Sequence, residues 1–224
     1  MDQKKINIIL LVAGQGKRIR KQTILPKCLL KINGKSILER NLLNFKKLKA
    51  SRVSIVTGYK SRYIKNFLIN NRFSNIKLLY NKHYNKYGNS YSIMVGLTKH
   101  NYSKTLILDG DLVYDFYILK KFFLKNTNSI LVGNGNINDI ECAKVLINKD
   151  KSIYKIIDKA GIKKNFLKKY KFIGEAPGMI KFNKNGAIKF KRHLKKFFKN
   201  KINRELNWEH AINYYCENEK LQFL

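Results

Sequence analysis

Hydrophobic and polar positions follow the periods of strands and helices in turn along the first half of the chain. Ile6 to Val12 is a continuous apolar run, which predicts a strand covered on both faces. Ser36 to Glu39 has the form of a capping box, and apolar residues follow it at helical spacing. Further strands are predicted at Val53 to Thr57, Ile76 to Tyr80 and Thr105 to Leu108, with helical segments between them. This alternation predicts an α/β fold with a Rossmann-like, mostly parallel central sheet flanked by helices.

The second half has a different pattern. Beyond residue 130, short alternating strands are predicted at Ala143 to Ile147, Ile153 to Ile157 and Gly178 to Phe182. Two helices follow, with Phe190 to Phe198 and Trp208 to Tyr215. This pattern predicts a small α+β lid, or acceptor subregion, fused to the first sheet. Since no linker or internal repeat is evident, residues 1–224 are expected to form a single domain with halves 1–130 and 131–224.

Composition is typical of a globular protein with one core. The chain has 224 residues, 44% of them hydrophobic, and no apolar run of membrane-spanning length. The first strand is followed directly by Gly14 and Gly16 and not by a signal-peptide cleavage site, so a cytoplasmic protein with no membrane partner is expected. Cys28, Cys142 and Cys216 form no CxxC pair and are predicted to be reduced, buried thiols.

The formal net charge of +33 is typical of a nucleic-acid-binding protein. However, the lysines are spread along the whole chain and accompany abundant Asn, Ile, Tyr and Phe, a mixture that AT-rich coding DNA would produce. Clusters such as residues 168–171 are therefore interpreted as solvated faces. Nucleic acid is not the expected partner.

The first strand runs into the segment Gly14-Gln15-Gly16-Lys17-Arg18. Glycine lets backbone N–H groups approach a phosphate, and the following cations can neutralise it. The segment is neither a Walker A loop nor a dinucleotide fingerprint, because the Gly-Lys-Ser/Thr triplet and the third glycine are missing. Pro26 then fixes the backbone just before Lys27, which adds one positioned cation. A phosphate site is predicted at the end of the first strand.

A carboxylate pair, Asp109 and Asp111, follows the strand Thr105 to Leu108 on either side of Gly110. Ligands of open α/β sheets bind at the carboxyl ends of strands, so these carboxylates would face whatever the glycine loop holds. Carboxylate oxygens suit Mg²⁺. The alternative is a tight surface turn, in which Asp and Gly are common.

The order strand, glycine loop, Pro-Lys and then Gly34-Lys35-Ser36-Ile37 resembles the nucleotidyltransferase family that couples NTPs to phosphorylated small molecules. Within that family, the sequence is similar to the phosphocholine cytidylyltransferase and 2-aminoethylphosphonate cytidylyltransferase group. The residues that carry this finer resemblance are Asn81, Tyr84, Tyr87, Asn89, Tyr91-Ser92, Asp109-Gly110-Asp111 and Lys159-Ala160-Gly161.

The resemblance implies a Mg²⁺-dependent enzyme that transfers CMP from CTP to a small phosphorylated or phosphonylated amino alcohol and releases pyrophosphate. It assigns catalytic roles to Lys27, Arg18 and Asp111. The implied nucleotide-binding residues are Ala13, Gly14, Gly16, Lys17, Lys27, Asn89, Ser92 and Asp109. Residues 1–130 would be the nucleotide-binding half and residues 131–224 the acceptor-binding half.

On the acceptor side, the resemblance implies that Lys159 contacts the acceptor's phosphate. Trp208 could hold a cationic amine by cation–π attraction, with Glu175 or Glu209 as its carboxylate partner, although Trp208 is also a natural core residue. Tyr91 is a further candidate for acceptor binding.

Members of the family continue with a Glu-x-Asp segment that supplies a second metal ligand, whereas this sequence ends at Leu221-Gln222-Phe223-Leu224. Either Glu209 joins Asp109 and Asp111 as a metal ligand, or the chain is a fragment truncated at its carboxyl terminus. A homodimer, or attachment to a further domain, stays open.

Two other functions also stay open. A sugar-1-phosphate nucleotidyltransferase would need a longer acceptor pocket with several hydroxyl-binding groups. A non-catalytic nucleotide- or nucleic-acid-binding module is favoured by the net charge of +33 and by the missing acid.

Overall fold

The computed structural model describes residues 6–19, 21–98 and 103–224. The strands are β1 (Ile6–Val12), β2 (Lys31–Ile32), β3 (Lys35–Ser36), β4 (Arg52–Thr57), β5 (Ile76–Tyr80), β6 (Lys104–Asp109), β7 (Ser129–Ile130), β8 (Lys144–Ile147), β9 (Ile153–Ile157), β10 (Lys171–Glu175), β11 (Met179–Phe182) and β12 (Gln222–Phe223). The α-helices are α1 (Ile37–Lys47), α2 (Ser61–Asn70), α3 (Asn89–Thr98), α4 (Phe116–Leu124), α5 (Lys164–Lys169), α6 (Lys184–Phe197) and α7 (Trp208–Cys216). Short 3₁₀ helices are formed by Lys17–Ile19, Lys27–Leu29 and Lys201–Glu205.

A mostly parallel sheet forms the centre of the molecule, with the strand order β12-β7-β11-β6-β1-β4-β5 in the described residues. β1 pairs in parallel with β4 on one side and with β6 on the other. The chain therefore leaves β1 in one direction and returns to its other side, which creates a topological switch point at the carboxyl ends of β1 and β6. The predicted fold class is confirmed.

The two faces of the sheet bury alternate residues of each strand. On β1, Ile9 and Leu11 pack with α3, α6 and α7, whereas Ile8, Leu10 and Val12 pack with α1, α2 and α4. This explains the uninterrupted apolar run, because helices cover both faces and no position of the strand meets water. Each such side chain contributes roughly 1.5–3 kcal/mol by leaving water.

Helix α1 begins where the capping box predicts. The Ser36 side chain accepts a hydrogen bond from the backbone N–H of Glu39 at 3.1 Å, which satisfies one of the free donors of the first turn. Helix α6 begins at Lys184, capped by Asn183, and is longer than the segment Phe190 to Phe198 that the sequence predicts.

The small lid differs in one respect from the prediction. β8 and β9 lie in it as expected, joined by β10 in an antiparallel sheet with the order β10-β8-β9. The placement of Gly178 to Phe182 in this lid is wrong, because β11 pairs antiparallel with β6 and β7 in the main sheet. A short apolar strand carries no local signal of which sheet it joins, so only its long-range pairing decides. None of the helices in the described part of the chain combines the length and apolar content that a membrane span requires.

A lysine is buried in the middle of β11. The Lys181 ammonium donates hydrogen bonds to the carbonyl of Phe122, at 2.9 Å, and to that of Lys125. It also lies 5.2 Å from the centroid of the Phe122 ring. Burial lowers the pKa of Lys181 to about 7, and the charges of Lys104 and Lys125 add to this effect.

This burial makes stability depend on pH. Between the native pKa of about 7 and the ordinary value of 10.5, the unfolded chain binds the extra proton, so the free energy of unfolding rises with pH. At about 1.4 kcal/mol per pKa unit, the rise attributable to Lys181 is on the order of 3–5 kcal/mol. Lys181→Met should abolish this rise and be more stable than wild type near neutral pH. Urea unfolding at several pH values measures the free energy of unfolding of each variant. Lys120→Met, at an exposed position, is the control. A Lys181→Met variant that keeps the wild-type rise would contradict the assignment.

Gly178, just before β11, fixes the end of β6. Its φ of +98° disfavours other residues, and its carbonyl accepts a hydrogen bond from the backbone N–H of Asp109 at 2.9 Å. A Cβ at this position would lie 2.3 Å from Asp109 Oδ2.

Gly178→Ala should therefore lower the free energy of unfolding by roughly 1–3 kcal/mol through backbone strain and displacement of Asp109. Gly161→Ala is the matched control, because a Cβ there meets nothing within 4 Å. Equal effects of the two substitutions in chemical denaturation would refute this account.

Candidate active site

A cavity of about 240 Å³ lies at the carboxyl ends of β1 and β6, at the switch point of the sheet. The predicted site residues that line it are Ala13, Gly14, Gly16, Lys27, Asn89, Ser92, Asp109 and Asp111. The glycine loop, the Pro-Lys pair, the start of α3 and the carboxylate pair are thus brought together from four separate parts of the sequence.

A larger hollow of about 1010 Å³ lies among residues between positions 42 and 53 and between 71 and 77. It adjoins the amino ends of β4 and β5, and no carboxylate is among its lining residues. Since α/β sheets bind ligands at the carboxyl ends of their strands, we place the site in the smaller cavity.

The glycine loop leads from β1 into the 3₁₀ helix Lys17–Ile19. Gly16 has a φ of +58°, and its carbonyl accepts a hydrogen bond from the backbone N–H of Ile19 at 3.0 Å. Lys17 and Arg18 follow on the exposed side and are not among the residues that line the cavity. The Arg18 guanidinium instead forms an ion pair with Glu141, with Nη1 3.2 Å from Oε2. Glu141 precedes β8, so this pair joins the glycine loop to the second half of the chain.

Lys27 is the cation that the fold directs into the cavity. Pro26 is buried and precedes the 3₁₀ helix Lys27–Leu29, so the backbone that carries the lysine is fixed. Lys27 Nζ lies 2.6 Å from Asp111 Oδ2, and both side chains are about 40% exposed. The pair is therefore accessible to an incoming ligand.

Asp109 ends β6 and lies deeper than Asp111. Burial raises the pKa of Asp109 well above its ordinary value, and the charges of Asp111 and Glu209 raise it further. The Trp208 indole opposes this shift by a hydrogen bond to the Asp109 carboxylate. The carboxylates crowd one another, and this arrangement attracts cations.

The three-carboxylate metal site expected from Asp109, Asp111 and Glu209 is not assembled. Within residues 6–19, 21–98 and 103–224, no three His, Cys, Asp or Glu side chains are grouped so that they could hold a metal ion. The Asp109 and Asp111 pair lines the cavity without Glu209.

Asn89 and Ser92 lie one helical turn apart at the start of α3, which places both on the face that lines the cavity. Asn89 Oδ1 accepts a hydrogen bond from the backbone N–H of Trp208 at 2.8 Å. The Ser92 hydroxyl accepts one at 3.0 Å from Asn81, which is fully buried after β5. Asn81 therefore positions Ser92, a role that its place in the sequence did not indicate.

Tyr91 is directed elsewhere. Its ring centroid lies 4.8 Å from that of Tyr87, 5.6 Å from that of His83 and 5.7 Å from that of Phe198. It packs against the core beside the cavity and is not among the lining residues.

Cys28 lines the cavity, but the residue is only 3% exposed. Burial raises the pKa of Cys28 to about 12, so the thiol stays protonated and is not a nucleophile. Cys28 and Cys142 are free and buried as predicted, and Cys216 is partly buried.

The predicted acceptor residues lie beyond the cavity. Lys159 is exposed and has a φ of +47°. Its neighbour Asp158, which the sequence did not single out, accepts a hydrogen bond from the Asn207 side chain at 3.1 Å. Glu175 exchanges backbone hydrogen bonds with Gly133, and its side chain bonds to the Cys142 thiol.

Trp208 and Glu209 begin α7 and are both buried, with exposed fractions of 2% and 8%. Trp208 packs in the core, so its ring supports Asp109 and presents no face to solvent. Glu209 Oε2 is buried without a hydrogen-bond partner among the described residues. Burial raises the pKa of Glu209 to about 7, with a further increase from Asp158 and an opposing effect of Lys159.

Three solved structures share this fold across nearly the whole chain. The CTP:phosphocholine cytidylyltransferase of Streptococcus pneumoniae superposes with a TM-score of 0.73 at 17% identity, covering 98% of this chain and 89% of that one. The inositol-1-phosphate CTP transferase of T. maritima gives 0.76 at 17% identity, with 100% and 86% covered. A putative glucose-1-phosphate thymidylyltransferase of Bacillus anthracis gives 0.72 at 17% identity, with 98% and 86% covered.

Among curated proteins, the bifunctional protein GlmU of Wigglesworthia glossinidia brevipalpis is 38% identical over 71 residues. That match spans 32% of this chain and 15% of the relative's length. Residues 8–126, more than half of the sequence, match the MobA-like NTP transferase domain. The matched stretch contains the glycine loop, Lys27, the start of α3 and both aspartates of the cavity. The chain belongs to the MobA-like NTP transferase family.

Proposed function

We propose that this nucleotidyltransferase transfers CMP from CTP to a small phosphorylated or phosphonylated amino alcohol, of the phosphocholine or 2-aminoethylphosphonate type, and releases pyrophosphate. The observation that carries the proposal is the Lys27–Asp111 ion pair, with its 2.6 Å separation, in the cavity that the glycine loop helps to form. It provides a movable cation and a carboxylate where a triphosphate would lie.

The reaction needs charge neutralisation more than proton transfer. A phosphate or phosphonate oxygen of the acceptor is already anionic at neutral pH and attacks the α-phosphorus of CTP directly. A P–O bond forms there as the bond from the α-phosphorus to the bridging oxygen breaks, and pyrophosphate leaves with the bonding electron pair. No proton is transferred, so a general base is not required. Lys27 would offset the negative charge that builds up between the phosphates, and the backbone N–H groups of the glycine loop would hold the triphosphate.

Magnesium is the metal that the family resemblance implies, and the carboxylate pair fits it. Asp109 and Asp111 present hard oxygen ligands beside one another, and the charge of Asp111 raises the pKa of Asp109. A divalent cation held by the two side chains would relieve this repulsion. Bound there, Mg²⁺ would neutralise phosphate charge.

Cytidine and an amine acceptor are supported by different observations. Asn89 and Ser92 supply the polar groups that line the cavity beside α3 and would approach the base and ribose. Two of the solved neighbours are named for their use of CTP. Beyond the cavity, the carboxylates of Asp158 and Glu209 and the ammonium of Lys159 lie close enough to affect one another, which suits an acceptor with both a cation and an anion.

A sugar-1-phosphate nucleotidyltransferase is the second candidate. It is favoured by the likeness to the putative glucose-1-phosphate thymidylyltransferase. Pyrophosphate release should be measured with CTP, UTP, dTTP and ATP, each combined with amine phosphates, an amine phosphonate and sugar 1-phosphates. Release with CTP and an amine acceptor is expected. Pyrophosphate release with sugar 1-phosphates alone would make the sugar-1-phosphate nucleotidyltransferase the preferred function.

Lys27→Ala tests the role of the ion pair. We expect kcat for pyrophosphate release to fall by about 10²–10³-fold, the usual effect of removing one transition-state donor. CTP binding should weaken far less. Exposed Lys65→Ala on α2 removes the same charge away from the site and should leave kcat unchanged. Loss of CTP affinity at unchanged kcat would show that Lys27 only binds the nucleotide and would contradict its catalytic role.

A further inference from the structure

Glu209 stands between the nucleotide cavity and the segment that contains Asp158 and Lys159. The two residues that precede it in the chain fix this position. Asn207 donates a hydrogen bond to Asp158 at 3.1 Å, and Trp208 donates one from its backbone to Asn89 at 2.8 Å. Asn89 lines the cavity. An acceptor whose phosphate lies near the nucleotide would therefore extend its other end toward Glu209.

One oxygen of Glu209 lacks a partner. The residue is 8% exposed, and Oε2 is shielded from solvent with no hydrogen bond from any described residue. A buried acceptor without a donor is unfavourable, so native proteins rarely keep one unless a ligand or an ordered water satisfies it. A ligand group that satisfies this oxygen would carry N–H or O–H donors, and the nearby carboxylates of Asp109 and Asp158 favour a positively charged one, although Lys159 is also close to Glu209.

The surroundings of Trp208 argue against a quaternary ammonium. Such a cation has no N–H to donate and is usually held on exposed aromatic faces. The Trp208 ring is 2% exposed within the core, and its indole N–H is already engaged by Asp109. A primary ammonium, in contrast, offers three donors in a small volume.

We propose that Glu209 recognises a primary ammonium group of the acceptor, so that the substrate is a primary-amine phosphate or phosphonate and not a trimethylammonium compound. This inference rests on the proposed function and narrows it. Glu209 acts here as a specificity-determining residue, apart from the carboxylate pair of Asp109 and Asp111.

Phosphoethanolamine and phosphocholine form a matched pair of acceptors, since they differ only in the three methyl groups on nitrogen. With CTP and the full chain, kcat/KM for pyrophosphate release should favour phosphoethanolamine by at least about tenfold, because a site built for N–H donors rejects an analogue without them. The enzyme should also accept 2-aminoethylphosphonate as a substrate, because this compound carries a primary ammonium group. Equal or greater efficiency with phosphocholine would overturn the inference and leave the proposed function intact. Absence of release with every amine acceptor would overturn both.

Glu209→Gln then tests the residue itself. KM for phosphoethanolamine should rise more than about tenfold, because the charge that pairs with the ammonium is lost, while KM for CTP changes less than about twofold. The preference over phosphocholine should disappear. Glu217→Gln, at the exposed end of the same helix, is the control and should keep wild-type constants. An unchanged acceptor preference in a Glu209→Gln variant with a wild-type melting temperature would refute the assignment.

Discussion

The parallel pairing of β1 with β6 is the contact on which the rest of the site depends. Its register sets Leu11 opposite Asp109, and the backbone N–H of Gly110 donates to the Leu11 carbonyl at 2.8 Å. A Cβ on Gly110 would lie 2.2 Å from Val12 Cγ1, so only glycine allows the two strand ends to come this close. The glycine loop and the carboxylate pair thereby share one edge, although about 90 residues separate them in the sequence.

Electrostatics then distinguish the site from the rest of a very basic surface. The chain has 14 acidic residues against 47 lysines and arginines, yet Asp109 and Asp111 line the cavity together. Glu209 lies close enough to affect the Asp109 carboxyl, and Asp158 close enough to affect Glu209. Burial raises the pKa of Asp109 and of Glu209, and the charges of Asp111 and Glu209 raise the pKa of Asp109 further. We attribute this arrangement to the cations that the site would bind. The net charge is therefore a weaker guide to function than the few acids.

The sequence predicted those features that depend on interactions between residues close together in the chain. The apolar run of β1, the capping box at Ser36 and the fixed lysine after Pro26 each arise from neighbours in the chain, and the structure confirms them. Contacts between distant segments had no such signal. The pairing of β11 with β6 and the support of Ser92 by Asn81 depend on how the whole chain packs. Trp208 shows the same limit, because its residue type fits a cation site and a core equally well, and only packing decides.

The segment before α7 is hydrogen-bonded to the start of α3. The Gly88 backbone N–H donates a hydrogen bond to the Arg204 carbonyl at 2.9 Å, and the Ser90 hydroxyl donates one to the Leu206 carbonyl. The Asn89 side chain accepts one from the backbone N–H of Trp208. A Cβ on Gly88 would lie 2.2 Å from the Leu206 carbonyl oxygen, so these segments are in close contact. The start of α3, which lines the nucleotide cavity, is thus bound to the start of α7, which carries Glu209. These contacts hold the two helix starts together, so the position of Glu209 depends on the helix start that lines the cavity.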